Sequence, residues 1–261
     1  MIRKNHHFFI LAPSPWPLLT TIVSFNFLLS LLIIFKFRRL ICLIMNLICT
    51  SVVRFFWWIF YRNEINLEGK NSLNFERGVK FAIILFISSE VFFFFSFFWS
   101  YFHYFLSPVL EIGRSWPPVN ITIFEFLNIP LINTLVLLSS GFTVTCSHFF
   151  IIENKKKLFI FFLFFTIILG IFFSVLQLIE YKSSFFSIRD RRFGTSFFVL
   201  TGFHGIHVLI GTIFLASSIM RSLKIRSTCV NFLRFEIASW YWHFVDVVWI
   251  FLYFFLYYIN N

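Results

Sequence analysis

Charged side chains are scarce in this sequence of 261 residues, in which Asp, Glu, Lys and Arg make up 13% and hydrophobic types 59%. The mean hydropathy is +0.86. A soluble domain carries about a quarter charged residues and needs them to cover its surface. The composition therefore excludes a soluble globular domain, and it also excludes a disordered, collagen-like or disulfide-scaffold chain. It predicts an integral membrane protein.

Cysteine and alanine are also few. The four cysteines form no Cys-x-x-Cys pair, and Cys42, Cys49 and Cys146 lie inside apolar runs, so we expect them to be small buried hydrophobic residues. Alanine occurs only at positions 12, 82, 216 and 238, whereas phenylalanine occurs 45 times. Because alanine codons are GC-rich and phenylalanine codons are AT-rich, we hypothesise that an AT-rich organelle genome encodes the chain.

Acidic residues are half as numerous as basic ones, and the formal net charge is +11. In a membrane protein the basic residues lie in loops, where they set the orientation of the chain and contact anionic lipid headgroups. The positive charge therefore predicts membrane orientation and lipid contacts, and no nucleic-acid partner is expected.

Long hydrophobic runs dominate the rest of the sequence. A helix crosses the hydrocarbon core in about 20 apolar residues. Seven runs reach that length, at about residues 17–35, 40–60, 79–106, 131–152, 158–179, 193–220 and 237–259. The runs are continuous, whereas the strands of an outer-membrane barrel alternate over about ten residues. The sequence predicts an all-α polytopic membrane protein with seven transmembrane helices.

The loop charges predict an orientation. Seven crossings place the two termini on opposite sides of the membrane. The N-terminal side collects 13 Lys and Arg residues and the other side 8. Since the side that faces the inner compartment carries the excess of basic residues, we expect the N-terminus inside.

Glu90 lies in the middle of the third run. An ionisable side chain at that depth costs about 2.5–3.5 kcal/mol on insertion scales, so it needs a partner or a function. The side chains one helical turn away from Glu90 are apolar, and they disfavour the ionised form of its carboxyl group. They are Phe86, Ile87, Phe93 and Phe94. Two interpretations remain open: Glu90 handles protons or coordinates a substrate, or it is a protonated acid hydrogen-bonded to a neighbouring subunit or a lipid.

Two polar pairs recur at a spacing of three residues, so each pair shares one helix face. The first is His204 with His207, and the second is His243 with Asp246. Such pairs on adjacent helices could build a metal site, but the Glu-x-x-His pattern is absent and no cysteine is near. We therefore predict no metal and a structural network of intramembrane hydrogen bonds. Its expected members are His148, His204, His207, Glu236, His243 and Asp246.

Aromatic and basic residues flank two of the runs. Trp57 and Trp58 lie near the end of the second run, as in the aromatic belt of a membrane interface. Arg221, Lys224 and Arg226 cluster at the end of the sixth run. This basic cluster either sets topology or binds the phosphate of an anionic lipid, and the sequence leaves both interpretations open.

A series of motifs in this order resembles the cytochrome c oxidase subunit III family. The two most specific are TGFHGIHV at 201–208 and WYWHFVDVVW at 240–249. The others are SPWPLL (14–19), WW (57–58), Glu64, ISSEVFFFFSFFW (87–99), WPP (116–118), PLINT (130–134), His148 and QLIEY (177–181). The resemblance covers nearly the whole chain.

The resemblance implies a non-redox core subunit of the oxidase in the mitochondrial inner membrane, with its N-terminus on the matrix side. It implies two parts, residues 1–70 with helices 1 and 2 and residues 71–261 with helices 3–7, and a lipid-filled cleft between them. Haem and copper would belong to partner subunits. The implied partners are subunit I as the main contact, subunit II, accessory subunits and phospholipids that include a cardiolipin-like anionic lipid.

The resemblance also implies residue roles. No residue of this chain would be catalytic, and Glu90 would modulate proton uptake and so support the catalytic subunit while electrons pass from cytochrome c to oxygen. Together with the basic cluster found in the sequence, the candidate lipid-binding residues are Trp57, Trp58, Arg62, Glu64, Arg221, Lys224 and Arg226.

Other classes of seven-helix protein fit less well. A retinal protein needs a lysine in its last helix for the Schiff base, and residues 237–259 contain none. A secondary transporter shows inverted repeats and helices broken by Gly or Pro, whereas these residue types concentrate here in the loop after the third run. A stand-alone membrane proton channel or transporter remains the alternative, because Glu90 and the histidine pairs could form a relay.

Overall fold

The structure is a computed structural model, and it describes residues 14–38, 40–67, 73–108, 116–118, 122–224 and 233–260. These form α1 (Trp16–Phe37), α2 (Leu40–Leu67), α3 (Leu73–Leu106), α4 (Ile129–Ile152), α5 (Lys156–Ser183), α6 (Arg191–Lys224) and α7 (Leu233–Leu252), followed by a π-helical turn, Tyr253–Tyr258. Seven helices are long and apolar enough to cross a membrane, and the described residues contain no strand. The predicted all-α polytopic fold is confirmed.

Several helices extend beyond the apolar runs that predict them. α2 continues to Leu67, past the end of its run near residue 60, and α6 begins at Arg191 and ends at Lys224. Helical hydrogen bonds need no hydrocarbon around them, so charged turns can continue a helix beyond the membrane core. Pro17 and Pro130 lie in the first turns of α1 and α4, where the missing N–H removes no helical hydrogen bond.

The chain divides into two compact units, residues 1–81 and 82–261. The division predicted between residues 70 and 71 falls outside the described residues. In the first unit α1 packs against α2, and the Trp16 ring stacks on Phe56 with 6.3 Å between ring centroids. Two small polar residues are buried here, Ser30 and Thr50. Each donates a hydrogen bond to a carbonyl of its own helix, which satisfies the hydroxyl in an apolar interface.

In the second unit α4, α5, α6 and α7 pack as successive neighbours, and α4 also packs against α7. Two indole hydrogen bonds fix the register between α4 and α7. Trp242 Nε1 donates to Ser140 Oγ at 2.9 Å, and Trp249 Nε1 donates to Thr134 Oγ1 at 3.0 Å. Since the residue numbers rise along one helix as they fall along the other, α4 and α7 are antiparallel.

Residues 82–106 of α3 join the second unit through aromatic contacts. Phe93 meets Phe203 of α6 edge-on at 5.0 Å, and the Phe94 and Phe244 rings lie 6.1 Å apart. The Tyr101 hydroxyl donates to the Phe255 carbonyl of the π-helical turn at 2.9 Å. These contacts attach α3 to α6, to α7 and to the turn that follows α7.

Trp242 lies at the centre of this unit and is fully buried. Its ring packs directly on two glycines. A Cβ atom built on Gly170 of α5 would lie 2.6 Å from the indole, and one built on Gly211 of α6 would lie 2.8 Å from it. The two glycines therefore let α5 and α6 approach α7 at the level of the tryptophan.

Candidate functional site

Glu90 of α3 and His207 of α6 form a hydrogen-bonded pair. His207 Nε2 lies 2.9 Å from Glu90 Oε2. The His207 side chain is 11% exposed and the Glu90 side chain 22% exposed. Sequence reasoning treated the two residues separately and looked for the partner of Glu90 in a neighbouring subunit or a lipid. The structure gives Glu90 a partner on the same chain.

The other ring nitrogen of His207 determines what the pair can do. Nδ1 lies 2.6 Å from the carbonyl oxygen of Phe203, one turn earlier on α6. Because a carbonyl oxygen can only accept, Nδ1 carries a hydrogen. Nε2 then either accepts a hydrogen bond from the O–H of neutral Glu90 or, as part of an imidazolium, donates a hydrogen bond to the Glu90 carboxylate. In both arrangements the pair holds one proton between Nε2 and Oε2 and has no net charge.

Aromatic rings surround the Glu90–His207 pair. The Phe94 ring meets His207 edge-on at 5.1 Å, and the Tyr241 ring stacks on His207 at 6.3 Å. These aromatic rings pack around the imidazole and leave most of it buried. Glu90 keeps a partly exposed side chain, so the carboxyl end of the pair reaches the surface of the second unit.

His204 lies one turn before His207, but its surroundings are different. It is fully buried, and its ring contacts Phe173 at 5.6 Å and Trp249 at 5.2 Å. Neither of its ring nitrogens has a hydrogen-bond partner among the side chains and backbone atoms that the structure describes. No direct hydrogen bond therefore joins His204 to the Glu90–His207 pair.

The second predicted polar pair, His243 and Asp246, is not hydrogen-bonded either. Asp246 Oδ2 lies 3.8 Å from His243 Nδ1, beyond hydrogen-bond distance. Asp246 is buried against Gly141 of α4, where a Cβ atom would lie 2.7 Å from the carboxyl oxygen. His243 is 41% exposed. His148 stacks on Phe235 at 6.1 Å, so the predicted residues occupy several places in the second unit.

Sequence reasoning did not select Glu180 of α5, a fully buried acid. The Tyr257 hydroxyl donates to Glu180 Oε1 at 2.6 Å, and the Tyr181 hydroxyl donates to Thr201 Oγ1 of α6 at 2.8 Å. The signal in the sequence was QLIEY at 177–181, which places three polar side chains at helical spacing at the end of an apolar run.

The structure describes the side chains of some of the remaining predicted site residues but not of others. Trp57 is half-buried and Trp58 exposed on α2, while Glu236 is half-buried in the first turn of α7. Within the described ranges no three His, Cys, Asp or Glu side chains come together as metal ligands would. The side chains of the basic and acidic lipid candidates lie outside the described residues: Arg62, Glu64, Arg221, Lys224 and Arg226.

Comparison with known proteins agrees with the motifs. The chain matches the cytochrome c oxidase subunit III family over residues 6–261. It is 44% identical over 260 residues to cytochrome c oxidase subunit 3 of Aedes aegypti, with 99% of each chain covered. It is 42% identical over 257 residues to the same subunit of Tetraodon nigroviridis and 41% identical over 257 residues to that of Struthio camelus, with 98% of each chain covered. The chain therefore belongs to the cytochrome c oxidase subunit III family.

Proposed function

We propose that this chain is the third subunit of a cytochrome c oxidase and performs no redox chemistry itself. The observation that carries the proposal is the family match from residue 6 to residue 261, together with identities of 41–44% over nearly the full length of named relatives. Seven membrane-spanning helices and this family membership support a multi-pass membrane subunit that assembles with the other subunits of the oxidase.

The surroundings of the two interior histidines His204 and His207 support a non-redox role. Both ring nitrogens of His207 are occupied, one by Glu90 and one by a backbone carbonyl. The His204 ring packs between Phe173 and Trp249. We assign haem and copper to partner subunits, where electrons pass from cytochrome c to oxygen, and we assign no catalytic residue to this chain.

We assign to the Glu90–His207 pair a modulating role in proton uptake by the catalytic subunit. The pair holds one proton that can lie on either atom without a change in net charge, which suits a membrane interior where net charge is costly. Its carboxyl end is partly exposed and so presents a hydrogen-bonding dipole to whatever helix covers it. Such a dipole can stabilise the proton-uptake region of the catalytic subunit, and Glu90 itself need not carry the protons of the catalytic cycle.

The location and partners follow from the family and from the charge pattern. We place the chain in the mitochondrial inner membrane with its N-terminus on the matrix side, because 13 of the basic residues fall on that side and 8 on the other. Subunit I is the proposed main contact, with subunit II and accessory subunits nearby. Phospholipids are proposed at the Trp57–Trp58 end of α2 and at the basic cluster Arg221, Lys224 and Arg226.

The experiment that tests the proposal is purification of a tagged chain from mitochondrial membranes in mild detergent. We expect it to co-purify in a fixed ratio with a haem-bearing, oxygen-consuming complex. The Glu90–His207 pair is the observation that favours the alternative, a stand-alone proton channel or transporter. A chain that purifies alone and conducts protons in liposomes would replace the proposed function by that alternative.

A further inference from the structure

The core of the second unit contains polar side chains that have no hydrogen-bond partner. Asn133 of α4, Gln177 of α5 and His204 of α6 are at most 5% exposed. Both amide atoms of Asn133 and of Gln177, both ring nitrogens of His204, and Oε2 of the fully buried Glu180 make no hydrogen bond within the described parts of the chain. Seven orphaned polar atoms therefore lie in one helical core.

The register between α4 and α5 places two of these side chains at one level. The Thr143 and Thr166 hydroxyls lie 2.8 Å apart across the two antiparallel helices. Asn133 precedes Thr143 by ten residues on α4, and Gln177 follows Thr166 by eleven residues on α5. Because the two helices are antiparallel, both residues lie on the same side of the threonine contact. At about 1.5 Å per residue both lie roughly 15 Å from the threonine contact. Asn133 and Gln177 therefore lie at the same level along α4 and α5.

Contacts between α5 and α6 bring His204 to the same level. His204 packs on Phe173 at 5.6 Å, and Tyr181 hydrogen-bonds to Thr201 at 2.8 Å. Gln177 lies midway between Phe173 and Tyr181 on α5, so it faces the turn of α6 from Thr201 to His204. We call Asn133, Gln177, Glu180 and His204 the polar layer.

A buried polar atom is costly unless it is hydrogen-bonded, and native cores leave few such atoms unpaired. The amides and the imidazole of the polar layer offer donors and acceptors in similar number, which suits a small ligand that both donates and accepts. A structural zinc site would need four close ligands of the Cys, His or carboxylate type, and the layer supplies one imidazole and one carboxyl. Water matches this donor set, because a buried water molecule makes about three hydrogen bonds to otherwise unpaired groups.

We propose that the polar layer is an internal binding site for a small cluster of ordered water molecules. The cluster joins α4, α5 and α6 through hydrogen bonds to Asn133, Gln177 and His204. At one end it continues to Oε2 of the Glu180 carboxyl group, whose other oxygen, Oε1, already accepts a hydrogen bond from the Tyr257 hydroxyl. At the other end it reaches His204, which lies one helical turn before His207 on α6. The bound water thus links polar side chains of α4, α5 and α6 inside the core of the second unit.

The test is an electron cryomicroscopy map of the complete oxidase complex at a resolution that shows ordered water. We expect density at hydrogen-bond distances of about 2.7–3.2 Å from atoms of at least two residues of the polar layer. In a Gln177→Leu variant the water next to residue 177 should be lost. Thr166→Val is the matched control, because it removes a buried hydroxyl that Thr143 already satisfies, and it should leave the water density unchanged.

Two results would overturn the proposal. One is a map in which Asn133, Gln177 and His204 hydrogen-bond directly to one another with no solvent between them. The other is a single density at metal-ligand distances of about 2.0–2.3 Å, which would make the layer an ion site. If Gln177→Leu does not assemble, the map of the parent complex alone decides between these outcomes.

Discussion

Glu90 and His207 stabilise each other in the membrane interior because together they hold one proton and no net charge. An isolated carboxylate at that depth would cost several kcal/mol. His207 Nε2 lies 2.9 Å from Glu90 Oε2, and His207 Nδ1 is hydrogen-bonded to the Phe203 carbonyl. Glu90 therefore contributes a directed hydrogen bond and a dipole. A residue of that kind should tolerate an uncharged replacement that keeps the hydrogen bond.

We expect Glu90→Gln to leave the initial turnover of the assembled oxidase within about twofold of the parent, less than about 0.5 kcal/mol in the activation barrier. The amide N–H of glutamine can donate to His207 Nε2 in place of the acid. Oxygen consumption of the purified complex measures the effect. Ser89→Ala is the control, since this hydroxyl bonds to the Phe86 carbonyl of its own helix. Immediate loss of turnover in Glu90→Gln would identify Glu90 as an obligate proton carrier.

Glu90→Ala should shorten the active lifetime of the complex during turnover. It leaves a small cavity and deprives Nε2 of His207 of its partner, which costs about 1–3 kcal/mol for a buried polar group. The time course of oxygen consumption measures the lifetime. The double variant Glu90→Leu/His207→Phe removes both partners and should recover part of it. A lifetime equal to the parent in Glu90→Ala would contradict this account.

Helix packing in the second unit depends on glycines at the Trp242 ring. Gly170→Ala and Gly211→Ala would bring a Cβ atom to 2.6 Å and 2.8 Å from the fully buried indole, so the indole or the helix that carries the substitution would have to shift. Such overpacking typically costs about 1–3 kcal/mol.

We expect both variants to lower the thermal stability of the assembled complex, measured by loss of the subunit on heating. The matched control is Gly202→Ala on α6, where the new Cβ atom meets nothing within 4 Å and helix propensity improves by up to about 1 kcal/mol. Equal stability of Gly211→Ala and Gly202→Ala would show that the close approach of α6 to Trp242 is not required.

The sequence predicts the helices because each membrane crossing needs one continuous apolar run, and the seven runs are separated by charged or proline-containing segments. It predicts their ends less well. α6 begins at Arg191 although its run begins near residue 193, since charged residues at the membrane surface are compatible with a helix. Glu90 was predictable as a polar group at membrane depth. Its pairing with His207, 117 residues away, depends on helix register, which composition and spacing do not determine.

The buried acid Glu180 and the glycine beside Asp246 were missed for a similar reason. Both belong to helices whose apolar runs predict a crossing but do not predict which face is buried. The contacts to Tyr257 and to Gly141 arise only when α4, α5, α7 and the π-helical turn come together. Sequence reasoning therefore located Glu90 and the paired histidines, missed Glu180, and left the partners of all of them open.

The exterior of the described chain is largely apolar, as a membrane subunit requires. Phe35, Phe92 and Phe142 are 84%, 72% and 68% exposed. In an assembled membrane complex lipid tails or partner helices cover such side chains, and no water-soluble surface would leave so many exposed. We expect selectivity among lipids to come from charged residues at the helix ends, because headgroups lie at that level.

We expect the triple variant Arg221→Ala, Lys224→Ala, Arg226→Ala to lose anionic phospholipid from the purified complex. Each basic residue near an anionic membrane surface is worth about 1 kcal/mol, so three together lower lipid affinity by about a hundredfold. Phospholipid content after detergent washing, measured by mass spectrometry, checks the loss. The control variant replaces Lys155, Lys156 and Lys157 by alanine, because it removes the same charge from the same predicted side of the membrane. If both variants retain lipid equally, the basic cluster sets topology and holds no specific lipid.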